Sequence, residues 1–200
     1  MKYVHQLNIS KDYILQNKIF DIYSLHKIVY SHFEQTRSEQ ELSQSVFSGI
    51  QWKEVVDTPH SKRILVFSDR PAIPNEGIEL VSKTIPANLL DHSTYSFDVV
   101  VNPTYKKKGD KNYTACTNHE AVADWFKRRT ELWGIEINSF NVEKITTHKI
   151  KKNSPMKHVQ AHVRGTLKVI DQDKFKLAFN KGIGRSRSYG CGLLQILPIS

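Results

Sequence analysis

Hydrophobic and polar positions alternate over residues 2–9. Tyr3, His5, Leu7 and Ile9 fall on one side and Val4, Gln6 and Asn8 on the other, which predicts a half-buried strand. Over residues 19–33 the period changes. Ile22, Leu25, Val29 and Phe33 recur at i, i+3, i+7 and i+11, with Ile28 beside them, and predict a helix with that stripe against a core. Tyr23, His26 and Tyr30 form a neighbouring stripe at i, i+3 and i+7, stacked along the helix within reach of a common ligand. The polar residues 34–45 read as a loop. Strands follow at 48–56 and 62–67, separated by the turn residues D-T-P-H-S. After a loop containing Pro and Gly, a strand lies near 78–85. The first half thus reads β-α-β-β-β, with little signal for a second helix.

The second half opens with a strand at 95–101, ended by Asn102-Pro103 and followed by a loop holding Lys106, Lys107, Lys108 and Lys111. Thr117 and Glu120 have capping-box spacing and predict a helix that buries Val122, Trp125, Phe126 and Leu132 and ends near Gly134. Strands are predicted at 135–142 and 159–170, around a basic stretch at 144–158. Asp171 and Asp173 open a helix through Phe175 and Phe179 that closes near Gly182, and residues 193–197 form the last strand. This β-α-β-β-α-β order is ferredoxin-like, and the first half is a blurred copy of it. The chain is therefore read as α+β, with tandem ferredoxin-like (RRM-like) domains over residues 1–88 and 93–200, each an antiparallel sheet with helices on one face. No basic-Gly-aromatic-Gly-aromatic cluster occurs on the strands, so base stacking on a sheet is not expected.

Composition narrows the class. With 39% hydrophobic and 24% charged residues among 200, the chain suits an ordinary globular protein. No apolar run approaches the roughly 18 residues of a membrane span, and the N-terminus lacks the apolar core of a signal peptide, so no membrane partner is expected. Cys116 and Cys191 lie far apart, without C-x-x-C spacing, which fits a reducing cytoplasm. There is no H-E-x-x-H and no close carboxylate cluster, so neither a metal site nor a cofactor is predicted. The net charge of +9 is uneven. Residues 1–100 hold 10 Lys and Arg against 12 Asp and Glu, and residues 101–200 hold 19 against 8. An excess confined to one half points to a polyanionic partner.

Residues 181–194 read K-G-I-G-R-S-R-S-Y-G-C-G-L-L. Gly182, Gly184, Gly190 and Gly192 permit close approach and positive φ, loop N–H groups can cradle an anion, and Arg185 and Arg187 carry forks matched to phosphate. Ser186 and Ser188 lie between. A second basic candidate is the segment with Lys149, Lys151, Lys152 and Lys157 around Asn153-Ser154-Pro155. A thin lysine-rich β-hairpin there could enter the end of an A-form groove; the alternative is a solvated loop. The same alternative stands for the cluster at Lys106, Lys107 and Lys108.

Several of these segments together resemble one family. They are Asn102-Pro103 followed by lysines, the helix H-E-A-V-A-D-W-F-K-R-R, the strand Q-A-H-V-R-G-T-L-K-V, the glycine-rich tail and the N-terminal D-I-Y-S-L-H-K-I-V-Y. The family is CasE, the CRISPR repeat-processing endoribonuclease of type I-E systems and a subunit of the Cascade interference complex. The resemblance implies a cytoplasmic, metal-independent nuclease that cuts precursor CRISPR RNA at the 3′ base of the repeat hairpin. It further implies a 2′,3′-cyclic phosphate product, retention of the mature crRNA, and other Cascade subunits as partners. The family's catalytic tyrosine and histidine fall on Tyr23 and His26. Ser31 is near the place of a lysine that assists in some members, with Lys27 close in sequence. In the tail Arg187 matches a basic position, and Arg185 stands where the family has a proline or small residue; Gly182, Gly184, Arg185 and Ser188 are read with Arg187 as RNA contacts. Histidine suits proton transfer near neutrality, and Tyr23 suits donation to the phosphate or the leaving oxygen. Two rivals stand beside this reading: a non-catalytic RNA-hairpin-binding subunit, and an assembly protein whose basic surface meets acidic partners.

Overall fold

The computed structural model describes residues 1–44, 46–58, 60–151 and 155–199. The chain forms two compact units, Met1–Pro86 with Ser188–Gly190, and Ala87–Arg187 with the residues from Cys191 on. No helix among the described residues is long and apolar enough to cross a membrane.

In the first unit β1 (Tyr3–Ser10) leads through α1 (Lys11–Gln16), α2 (Ile22–Ser31) and α3 (Glu39–Ser43) to β2 (Ile50–Asp57), β3 (Ser61–Ser68) and β4 (Ile78–Thr84). The sheet order is β2-β3-β1-β4, with every pair antiparallel. Pairing of Leu7 with Ile64 and of His5 with Val66 sets one run of buried side chains on one face. Ile22, Leu25 and Val29 of α2 are buried too, as the period-3.6 stripe requires. The stretch 34–45, read as a loop, contains α3, and α1 was likewise not predicted. Both are single turns set by serine N-caps: Ser10 accepts from the Tyr13 N–H, and Ser38 forms a capping box with Glu41. No helix intervenes between β3 and β4.

The second unit holds β5 (Thr94–Val101), β6 (Thr104–Tyr105), β7 (Thr114–Ala115), α4 (His119–Lys127), β8 (Ile135–Lys151), β9 (Pro155–Val169), α5 (Gln172–Lys181) and β10 (Gln195–Pro198). Its main sheet is ordered β10-β5-β9-β8, so by position in the chain its strands follow the same order as those of the first unit. The fold is α+β, with two ferredoxin-like units built on antiparallel sheets. Phe126 is fully buried at the centre of the second core, its ring 5.8 Å from Phe97, 5.2 Å from Trp133 and 5.6 Å from Phe140.

Two local expectations need correction. Asn118, not Thr117, caps α4, accepting from the Ala121 N–H at 2.8 Å. Leu132 is 71% exposed, because α4 ends at Lys127 and the 3-10 turn Glu131–Trp133 breaks the helical phase. The strands predicted at 135–142 and 159–170 extend through the basic stretch. β5 stays paired with β9 only to Val101 and Ala161, whereas β8 and β9 remain paired out to Lys151 and Pro155. The hairpin therefore runs on beyond the sheet as a two-stranded arm.

Candidate functional site

Helix α2 is launched by a capping box. The Asp21 carboxylate accepts the Ser24 N–H at 2.7 Å, and the Ser24 hydroxyl accepts the Asp21 N–H at 3.2 Å. With Ile22, Leu25 and Val29 turned inward, the stripe Tyr23, His26 and Tyr30 is left half-buried beside them. The His26 ring lies 6.3 Å from that of Tyr23, at 18° between planes, and 4.3 Å from that of Tyr30. Tyr30 is tied by its hydroxyl to Ser48 at 2.9 Å, and the Lys27 ammonium sits 4.7 Å over the Tyr23 ring. Ser31 carries no charge and is used locally: its hydroxyl donates to the Ile28 carbonyl and accepts from the Asn75 amide, each at 2.8 Å.

Ser188–Gly190 belongs to this first unit, and it completes the setting of His26. The ring Nδ1–H donates to the Ser188 carbonyl at 2.8 Å. The acceptor is a carbonyl, so the proton must be on Nδ1, and in the neutral ring the lone pair is on Nε2. The same carbonyl accepts the indole N–H of Trp52 at 3.1 Å, and Trp52 is 1% exposed. Tyr189 adds a third tyrosine ring 5.6 Å from His26. Gly190 has φ +75°, and a Cβ there would lie 3.1 Å from the Trp52 ring. Glycine thus lets the turn close onto the indole, which in turn places the carbonyl under His26.

The rest of the glycine-rich stretch belongs to the second unit. Gly182 ends α5 at φ +76°. The Ile183 N–H donates to the Gly192 carbonyl and the Gly192 N–H to the Val100 carbonyl, so these loop donors are spent holding the loop to β5. Gly184 has φ +74°. The Arg187 guanidinium donates to the Lys181 carbonyl at 2.8 Å. Arg185 lies against the Tyr113 ring, with Cζ 3.9 Å from its centroid. Lys106, Lys107 and Lys108 are exposed in the loop between β6 and β7. Lys152 lies outside the described residues, as do the side chains of Lys149, Lys151 and Lys157; the backbone register sets Lys149 opposite Lys157.

At the root of the arm, the His148 Nε2–H donates to the Gln160 amide oxygen at 3.0 Å, and the Gln160 amide donates to the Cys191 sulfur at 3.7 Å. His158 Nε2 is also 3.7 Å from that sulfur. Burial pushes the Cys191 thiol up to about 12, so it stays neutral. Among the described residues no group of three His, Cys, Asp or Glu side chains could share a metal ion. Sequence reasoning missed Trp52, Tyr113 and Tyr189. Trp52 acts on a backbone carbonyl 136 positions away, which no residue pattern encodes, whereas Tyr189 sits inside the glycine-rich motif and could have been singled out.

The model of a family described as CRISPR associated protein matches residues 3–198. Among curated proteins none matches. Among solved structures, Thermus thermophilus Cse3 bound to an RNA representing a pre-cleavage complex aligns with a TM-score of 0.79 at 15% identity, covering 98% of this chain and 99% of that one. Cas6e from Escherichia coli str. K-12 aligns at 0.75 and 16% identity, covering 98% and 100%. A chain of a CRISPR RNA-guided surveillance complex in a pre-nicking state aligns at 0.73 and 19% identity, again covering 98% and 100%. At these identities the likeness is one of fold.

Proposed function

The chain belongs to the CRISPR-associated protein family, and on that premise we propose that it is a metal-independent endoribonuclease cutting precursor CRISPR RNA at the 3′ base of each repeat hairpin. It keeps the mature crRNA and joins other subunits of a Cascade-type complex. Solved relatives of the same fold include one bound to a pre-cleavage RNA and one within an RNA-guided surveillance complex.

The observation that carries the reading is the 2.8 Å bond from His26 Nδ1–H to the Ser188 carbonyl. It orients the ring and leaves Nε2 as the basic nitrogen. His26 Nε2 takes the proton of a ribose 2′-OH, the 2′-oxygen attacks the adjacent phosphorus, and the P–O5′ bond breaks. The Tyr23 hydroxyl, one turn earlier on α2, gives a hydrogen bond to the leaving 5′-oxygen, which takes its proton from that hydroxyl or from water. The product ends are a 2′,3′-cyclic phosphate and a 5′-OH. A correctly placed base of this kind contributes about 10²–10⁴-fold, and the remainder comes from in-line alignment. Tyr30 and Tyr189 wall the ring, and Lys27 beside Tyr23 supplies positive charge for the phosphate. The exposed lysines of the second unit supply sequence-independent phosphate contacts.

The test is cleavage in EDTA of a repeat hairpin from the organism's own array, with and without a single 2′-deoxy substitution at the scissile nucleotide. Full activity in EDTA, a cyclic phosphate end and loss of cutting with the deoxy substrate are expected. Activity abolished by EDTA and restored by Mg²⁺ would reject the mechanism. Tight binding with no cutting of the all-ribose hairpin would favour a non-catalytic RNA-binding subunit.

A further inference from the structure

The second unit carries a feature that the His26 chemistry does not use. Arg185 Cζ stands 3.9 Å from the centroid of the Tyr113 ring. Approach in the ring plane at that distance would drive the guanidinium inside van der Waals contact with a ring carbon, so it lies over the ring face. Tyr113 is 49% exposed, Arg185 is exposed, and the Lys106 ammonium lies 5.9 Å from the same ring. The β6–β7 ladder pairs Tyr105 with Thr114 and presents the loop between them, which holds Lys106, Lys107, Lys108 and Lys111 against one carboxylate, Asp110. Among the described residues none of these lysines, nor Arg185, makes an ion pair.

Arg185 is also held in place. It sits between Gly184 at φ +74° and Ser186 at φ +60°, with one left-handed position on either side of it. The Ser186 hydroxyl bonds to the Asn102 side chain at 3.3 Å, and the buried Asn102 amide donates to the Val159 carbonyl at 2.6 Å. A non-glycine residue held left-handed costs free energy and persists where its surroundings over-determine it. A rigid turn therefore offers a flat cation, already stacked on an aromatic ring, within a field of unpaired positive charge. That arrangement matches an unpaired nucleotide, with its base on the guanidinium and tyrosine faces and its phosphates on the lysines.

The geometry points to a single-stranded RNA site in the second unit, in which Tyr113 and Arg185 stack one unpaired base and the 106–111 lysines hold its phosphates. It rests on the RNA-processing reading only for its role, anchoring the single-stranded flank of the repeat. Two labelled probes test it at one salt concentration: octaadenylate RNA and an abasic ribose-phosphate octamer of the same length and charge. The wild-type chain binds octaadenylate about tenfold tighter than the abasic octamer. Tyr113→Ala and Arg185→Ala bring that ratio close to one, Tyr113→Phe keeps it, and Lys107→Ala weakens both probes alike. A wild-type ratio of one, or a ratio unchanged in Tyr113→Ala, overturns the site. So does displacement of the RNA by an octaglutamate peptide at matching concentration. Hairpin cleavage is scored separately. Cutting retained without base-dependent octamer binding rejects this site alone, and lost cutting with base-dependent binding intact rejects the nuclease reading alone.

Discussion

Gly190→Ala separates the cost of a strained backbone from the cost of displacing the Ser188 carbonyl that holds His26. An alanine at φ +75° pays about 1–2 kcal/mol for left-handed backbone. Its Cβ would also meet Trp52 ring atoms at 3.1, 3.3 and 3.4 Å. Trp52 is 1% exposed, so the indole must give by a few tenths of an ångström into packed surroundings, which costs about 1 kcal/mol more. The total is about 2–3 kcal/mol, or roughly 4–12 °C in the melting of a chain of this size. The functional cost follows from where the strain goes. The indole N–H and His26 share the Ser188 carbonyl, so moving either ring or turn tilts the imidazole. We expect single-turnover cleavage at saturating RNA to fall about tenfold or more, equivalent to about 1.4 kcal/mol of transition-state stabilisation, with hairpin affinity within about twofold of wild type. Gly77→Ala is the control: its φ is +80° and a Cβ there would meet the Tyr13 ring at 2.6 Å, so it pays a backbone and a packing cost without touching Trp52, and cuts normally. Equal cleavage by the two variants would refute the link from Gly190 through Trp52 to His26.

Trp52→Phe keeps an aromatic ring in the site but removes the indole N–H together with part of the bicyclic ring, leaving a small cavity at a buried position. Stability should drop by about 2–3 kcal/mol, from the lost hydrogen bond and the cavity together, and cleavage should fall with hairpin affinity unchanged; loss of affinity in step with cleavage would contradict a positioning role. Stability should also fall in mild acid. Burial holds the His5 ring below the usual histidine range, with nearby His32 adding to the effect against a raising bond to the Arg70 backbone, and burial holds His32 down against its bond to Ile73. Above about pH 6.5 both rings are neutral whether folded or not. As the pH falls through that value toward the lower folded ones, the unfolded chain takes up protons first and stability is lost. Thermal melts from pH 8 to 5 should show this fall, with a smaller one in His32→Gln; melting temperatures that rise toward pH 5 would contradict it. Burial also raises both thiols, Cys191 to about 12, so an aromatic disulfide reagent at pH 8 should label the denatured chain quickly and the native chain hardly at all.

Patterns that act over neighbouring residues were legible. The period-two run at 2–9 became β1, the strands read at 62–67 and 95–101 became β3 and β5, and the 3.6 period of Ile22, Leu25 and Val29 became α2. The ferredoxin-like order of the second half, and the weak signal for a second helix in the first, both match the observed elements. Elements of five or six residues did not show, because one turn of helix cannot display a period; Ser38 and Glu41 did carry a capping signal for α3. Leu132 fitted the α4 stripe only while the helix was imagined to continue past Lys127. In the site, Tyr23 and His26 stood out by spacing and Ser188 by its glycine-rich context. What Ser188 contributes is a main-chain oxygen, however, and Trp52 reaches it from a strand. A contact made through backbone, between positions remote in the chain, leaves no residue type for a pattern to find. The Arg185–Tyr113 stack escaped for a related reason, since two surface loops meet there without any periodic element to bring them into register.

The most direct measurement is single-turnover cleavage of a repeat hairpin by His26→Ala beside the wild type, with affinity measured on the same RNA. The variant should bind the hairpin as the wild type does and cut it about 10²–10⁴-fold more slowly. A variant that cuts at the wild-type rate would remove His26, and with it the carbonyl of Ser188, from the chemistry.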